Sequence, residues 1–216
     1  MTIEEIVNYL LLLVVLSIGM VRYQKLTVPF KLLAFSVAAT FLLDSLAKIF
    51  GLLYKTNAPI LHLECLVLFL CYASIYYHLF QNRAVKKIIF IAAIVVTVFA
   101  ILNALFLQPF HKVFPSYLYL LTNTLMVIFS LLLFKQMLLY PLKIKITSQS
   151  VFWYNTSMLF FSTTMFLNLG FINYYAKLKL GDDIIYYFWY GNYYILSILI
   201  GIALLIDKQD KSETYT

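Results

Sequence analysis

A chain of 216 residues that is 63% hydrophobic and only 12% charged has about half the roughly 25% charged residues of a soluble domain, which excludes a water-soluble globular fold. The net charge of +7 comes from basic connections between apolar stretches, the arrangement of the positive-inside rule, and does not call for a nucleic-acid partner. The connections are short, and the tail after Ile206 has ten residues, so any chemistry is expected within the apolar stretches.

About 20 apolar residues in a helix cross the ~30 Å hydrocarbon core of a bilayer. Seven stretches meet that need, at about 5–21, 32–53, 60–79, 88–107, 117–134, 151–172 and 184–206. The sequence therefore predicts an all-α, polytopic seven-helix transmembrane bundle forming a single domain over 1–216. The opening Met-Thr-Ile-Glu-Glu lacks the basic segment and small-residue cleavage site of a signal peptide, so the first stretch is expected to stay as an anchor. Pro29, Pro59, Pro109, Pro115 and Pro141 fall between these stretches, where helices start or stop. One set of connections holds Arg22, Lys25, Lys31, Arg83, Lys86, Lys87, Lys135, Lys143, Lys145, Lys208 and Lys211. The alternate set holds Lys55, Lys112, Lys177 and Lys179. Eleven against four puts the first set in the cytoplasm, the N terminus outside and the C terminus inside, as for a multi-pass protein of a bacterial inner membrane.

Ionisable residues inside such stretches are expensive and mark sites. In the second stretch Asp44 and Lys48 stand four apart, on one helix face and in the better order for an ion pair. They are read either as a pair that locks helix packing or as a charged wall of a pocket. In the third, His62 and Glu64 are about 200° apart on a helix, so Glu64 is expected to look inward and His62 to stay near the interface. Cys65 and Cys71 are separated by about 9 Å of helical rise, too far for a disulfide, and are read as packing residues. Tyr76 and Tyr77 at one boundary, and Tyr117 and Tyr119 at the other, fit the aromatic belts of a membrane protein.

Further along, Asn103 closes the fourth stretch, and Thr122, Asn123 and Thr124 lie in the outer half of the fifth. The connection 135–150 is the largest on the cytoplasmic side. It is the expected surface for a cytoplasmic signalling protein, or a contact with anionic lipid. Thr164 and Asn168 share a face of the sixth stretch. In the seventh, Tyr186, Tyr190, Tyr193 and Ser197 form a stripe, flanked by Trp189 and Asn192. Polar groups from five stretches thus gather in the outer half, which fits an apolar cavity with a few convergent polar groups.

Several chemistries find no residues. The seventh stretch has no lysine for a retinal Schiff base, and His62, His78 and His111 lie at different depths, so no zinc site or other cofactor is expected. No nucleophile-elbow serine and no His-Glu-x-x-His motif occurs. A buried carboxylate pair, Asp44 and Glu64, does suit acid–base chemistry.

The run Phe152-Trp153 through Phe160-Phe161-Ser162 resembles a Phe-Trp-x-x-x-(small)-x-Leu-(aromatic)-(aromatic)-Ser pattern of an uncharacterised family of small seven-helix bacterial membrane proteins. The start of the third stretch, Asn57 to His62 and Glu64, and Asn103 followed by Gln108, are also similar. The layout resembles the seven-helix sensing portions of bacterial histidine kinases, which implies a sensor whose kinase is supplied by a partner. The expected function is a receptor-like sensor binding a small or lipid-like ligand in an outer-half pocket, through Asp44, Lys48, Glu64, Asn123, Asn168, Trp189, Asn192 and Tyr193. Two alternatives stand beside it. One is an integral-membrane lipid-modifying enzyme using Asp44 and Glu64, the other a small proton-coupled transporter. The balance leans away from an enzyme.

Overall fold

The computed structural model describes residues 2–142, 144–178 and 182–208, with backbone alone at 170–178 and 182–186. Among the described residues there are seven α-helices and no strand: α1 Ile3–Arg22, α2 Val28–Tyr54, α3 Ala58–Leu79, α4 Arg83–Leu102, α5 Ser116–Leu139, α6 Ser150–Leu178 and α7 Asp182–Ile206. α1 and α4 start earlier than their apolar stretches, where a polar residue at the boundary satisfies one of the first N–H groups. Thr2 and Glu5 form a capping box for α1, and the Asn82 side chain accepts the Ala84 N–H of α4 at 2.8 Å. Pro29 and Pro59 sit in the first turns of α2 and α3, where a missing N–H costs nothing. α5 continues to Leu139, which brings Lys135 into the helix.

The end of α4 widens into a π-helical turn, Asn103–Leu107, and Gln108 makes use of it. Its side-chain oxygen accepts from Asn103 Nδ2 and from the Tyr117 N–H, both at 3.1 Å, and its Nε2 donates to Ser116 Oγ at 2.7 Å. Gln108 therefore caps α5, for which Pro115 at the N-cap provides no side-chain acceptor.

Hydrogen bonds between distant segments show that the helices alternate in direction. Arg22 at the end of α1, Thr27 before α2 and Ser150 at the start of α6 all bond Asp207 after α7. Gln136 near the end of α5 bonds Leu79 and Gln81 at the end of α3. At the opposite end, Tyr194 of α7 donates to the Glu4 carbonyl of α1 at 2.8 Å, and Thr56 and His62 bond the His111 and Val113 carbonyls. The first of these ends carries Arg22, Lys25, Arg83, Lys86, Lys87, Lys145 and Lys208, and is called the basic end below. Lys143 and Lys211 lie outside the described residues.

Among the described residues, six helical segments are long and apolar enough to cross a membrane: Ile3–Lys25, Val28–Tyr54, Ala58–Leu79, Arg83–Leu107, Ser116–Leu139 and Tyr187–Ile206. α6 is not among them. Asn155, Thr156, Ser157, Ser162, Thr163 and Thr164 dilute its apolar character, and it tolerates them because it packs between α5 and α7, burying Asn155, Ser157 and Ser162 completely.

Tyr76 is 0% exposed, so it is a core residue and not part of a boundary belt; only Tyr77 beside it is exposed. The Tyr76 hydroxyl donates to Asn155 Oδ1 at 3.0 Å and accepts from Ser130 Oγ at 2.6 Å, while Asn155 Nδ2 donates to the Ser130 carbonyl at 2.9 Å. This closed triad joins α3, α5 and α6 in the core. On the other side, α1 and α2 approach closely at Gly19, where a Cβ would lie 3.0 Å from Ala34 Cβ. α4 buries only a thin stripe, Ile89, Val96 and Ala100, and leaves Phe90, Ile91, Ile94, Val95 and Val98 exposed. The outer surface of the bundle is therefore largely apolar.

Candidate functional site

The interior holds a cavity of about 70 Å³ enclosed by α1, α2, α3, α5, α6 and α7. Most of its wall is hydrocarbon from residues such as Leu12, Val37, Leu68, Met126 and Met158. The polar groups come from five helices: Thr40 of α2; Glu64 and Tyr72 of α3; Tyr119, Thr122 and Asn123 of α5; Ser162 of α6. Tyr193 and Ser197 of α7 complete the set. The void is several times the roughly 10–15 Å³ that one water requires, and well below the ~300 Å³ at which sites for drug-sized ligands begin.

Glu64 decides its chemistry. The side chain is 1% exposed, Oε2 has no hydrogen-bond partner, and no Lys, Arg or His lines the cavity. Ser162 Oγ, in the same wall, is also buried without a partner. The other polar groups are partly spent on their own helices: Asn123 Nδ2 donates to the Tyr119 carbonyl at 2.7 Å, and Thr122 Oγ1 to Leu118 and Tyr119. Cys65 Sγ lies 3.6 Å from Thr122 Oγ1, and both Cys65 and Cys71 are free thiols. Buried polar atoms without partners are rare because each forfeits the hydrogen bonds it had with water. A carboxylate beside an unused hydroxyl in an otherwise apolar void can accept from a hydrogen-bond donor or a cation.

The structure brings three of the eight candidate residues into this wall: Glu64, Asn123 and Tyr193. Trp189 stands behind Tyr193, their ring centroids 6.1 Å apart, in a run of rings that continues through Phe114 to Tyr119. Asn192 is buried, but its Nδ2 donates to the Phe161 carbonyl at 3.1 Å, fastening α7 to α6. Asn168 is half-buried with Nδ2 unpaired, away from the cavity. The Tyr186 side chain lies outside the described residues.

Asp44 and Lys48 do not pair with one another. Lys48 Nζ reaches across to Glu5 Oε2 of α1 at 2.5 Å and lies over the Tyr9 ring, 5.5 Å from its centroid. Helical spacing put the acid and the lysine on one face, but the packing of α1 supplies a second carboxylate that takes the lysine. Asp44 makes no hydrogen bond or ion pair among the described residues. It lies within electrostatic reach of Glu64 without lining the cavity. The acid–lysine wall expected in an outer hollow is thus replaced by a Glu5–Lys48 bridge between α1 and α2, with the cavity deeper in the bundle. The cavity extends to Tyr72, Met158 and Ile200 past the helix midpoints.

His62 and Glu64 face different surroundings, as their rotation requires. His62 is itself buried, at 5% exposure, against Phe110 and the Val113 carbonyl; it does not sit at an exposed boundary. Among cavity residues, Thr40, Tyr72 and Tyr119 carried no usable sequence signal. A tyrosine near a helix end reads as a boundary residue, and a threonine bonding its own helix reads as filler. No three His, Cys, Asp or Glu residues gather to hold a metal among the described residues.

At the basic end lies a second polar focus, Asp207. Its Oδ2 accepts the Thr27 N–H at 2.8 Å, Thr27 Oγ1 lies at 3.1 and 3.3 Å from the two carboxyl oxygens, and Ser150 Oγ donates to Oδ1 at 3.0 Å. Arg22 Nη2 donates to its main-chain oxygen at 2.7 Å. One residue thus clasps the ends of α1, α2, α6 and α7.

Together these features define an apolar seven-helix bundle with an acid-walled interior cavity. No protein-family model, curated protein or solved structure matches the chain.

Proposed function

We propose that this chain is a multi-pass membrane receptor of the sensor type, with the start of α1 outside and the basic end in the cytoplasm of a bacterial inner membrane. Its ligand is a small molecule bearing a cation or strong hydrogen-bond donor, held in the Glu64 cavity. The apolar outer surface and six membrane-length helices support membrane residence. The clustering of basic residues at one end supports the orientation. The observation that carries the ligand reading is the buried Glu64 carboxyl without a partner in a cavity that offers no cation.

A ligand acts only by binding two helix arrangements with different affinity. α7 contributes Tyr193 and Ser197 to the cavity and ends at Asp207, so a shift of α7 on binding reaches the clasp directly. The surface over 135–150 beside it is where a signalling partner would read the change. The size of the cavity favours a small ligand over a lipid-like one. Purified protein in nanodiscs, titrated with small amines such as methylamine and ethanolamine, should show a rise in thermal midpoint that Glu64→Gln abolishes. A response unchanged in Glu64→Gln, or none to any such amine, would remove this reading.

A further inference from the structure

The Glu64 cavity holds hydrogen-bond donors as well as an acceptor, and that mixture narrows what fits it. Tyr119 of α5 and Tyr193 of α7 both line the void. Both lie within electrostatic reach of Glu64, and Tyr119 within reach of Tyr193. Neither hydroxyl makes a hydrogen bond among the described residues. The rings that carry them are held from behind. Tyr119 stacks on Phe114 with centroids 5.1 Å apart, and Tyr193 meets Phe161 edge to face at 5.3 Å. The two phenols are therefore fixed donors that lack an acceptor.

Asn123 adds a second acceptor to the carboxyl of Glu64. Its Nδ2 donates to the Tyr119 carbonyl at 2.7 Å, which leaves Oδ1 on the other side of the amide, without a partner among the described residues. A cation or N–H donor in the void satisfies Glu64 and Asn123. It leaves Tyr119 and Tyr193 unsatisfied, and buried donors without acceptors are costly. The group that completes the set is an acceptor oxygen on the same ligand. The volume of about 70 Å³ is little more than twice the ~30 Å³ share of one water in the liquid. It limits the ligand to a few non-hydrogen atoms, so the nitrogen and the oxygen must sit on neighbouring carbons.

We propose that the ligand of this cavity is a short vicinal amino alcohol of the ethanolamine type, and that Tyr119 and Tyr193 select it over a plain amine. The proposal rests on the reading of the Glu64 cavity as the receptor site. The ammonium donates to the Glu64 carboxylate and to Asn123 Oδ1. The hydroxyl oxygen, with two lone pairs, accepts from Tyr119 and Tyr193, and the methylenes meet the hydrocarbon wall.

The test titrates the full chain, in phosphatidylcholine nanodiscs, with ethanolamine and with propylamine, which has the same length but no oxygen. Calorimetry gives the two Kd values. Ethanolamine should bind roughly tenfold more tightly, as two modest net hydrogen bonds allow. Tyr119→Phe with Tyr193→Phe keeps both rings and should bring the two amines within roughly twofold of each other, with propylamine still bound. Should the double variant fail to fold, each single change should lower the preference about threefold. Equal binding of the two amines to the wild-type chain, or a preference that survives loss of the hydroxyls, overturns selection by oxygen and leaves the Glu64–amine reading standing. Binding of neither amine removes both. Adding phosphatidylethanolamine to the nanodiscs should not move the thermal midpoint, because a headgroup with its chains exceeds the void. A Glu64-dependent rise there would overturn the free amino alcohol as the ligand.

Discussion

Asp207 offers the sharpest test of how the helices are held. Replacing it with alanine removes the acceptor for the Thr27 N–H, the Thr27 hydroxyl and the Ser150 hydroxyl. Hydrogen bonds to a charged group are worth about 1.5–3 kcal/mol each when deleted singly, but these share one carboxylate and do not add. Removing the carboxylate also relieves its desolvation, so the net loss should be about 2–4 kcal/mol. Asp207→Asn keeps the shape and one acceptor oxygen, and should lose about 1 kcal/mol. Neither change touches the Arg22 bond, which is to the main chain. Burial holds the Asp207 carboxyl above the ordinary carboxylate range, outweighing the Thr27 and Ser150 hydrogen bonds and the Arg22 charge. With a native pKa above the unfolded one, the folded chain binds more protons between the two, so stability falls as pH rises through that window. The wild-type chain should therefore gain stability as pH drops from neutral toward the ordinary carboxylate pKa, relative to Asp207→Asn. Reversible unfolding in mixed micelles measures both effects. An alanine variant within about 0.5 kcal/mol of wild type, well below the cost of one such bond, or matching pH profiles for wild type and Asp207→Asn, would refute the reasoning.

Tyr76→Phe breaks the triad with Ser130 and Asn155 and should cost about 1–2 kcal/mol; a double-mutant cycle with Asn155→Leu should show a coupling of about 1 kcal/mol, and strict additivity would mean the hydroxyl is not engaged. Gly19→Ala places a methyl group 3.0 Å from Ala34 Cβ, whereas at Gly201 the nearest contact is an ordinary 3.5 Å to Val15 Cγ2. Unfolding should therefore show Gly19→Ala destabilised, and Gly201→Ala neutral or more stable by up to about 1 kcal/mol from helix propensity. Glu5 and Lys48 are both partly exposed, at 25% and 31%, so a Glu5→Gln, Lys48→Met cycle should return only about 0.5 kcal/mol. A coupling between Asp44 and Lys48 of equal size would contradict the observed pairing.

What the sequence determined by itself is what single helices decide. Long apolar runs specify helices because backbone groups without water must bond within their own segment. The prolines mark starts and stops, and a separation of two residues sends His62 and Glu64 to different sides. Spacing along a helix gives the direction of a side chain but not what another helix sets opposite it. That is why Lys48, spaced to meet Asp44, binds Glu5, and why Tyr76 and Tyr119 belong to the core and not to a boundary. It is also why Asn192 is spent on the Phe161 carbonyl, while Ser162 faces the cavity unpaired. The Asp207 clasp joins residues up to 185 positions apart. Such contacts arise only when the helices pack, because the free energy of a buried polar group is set by the partner it meets, and that partner lies elsewhere in the chain.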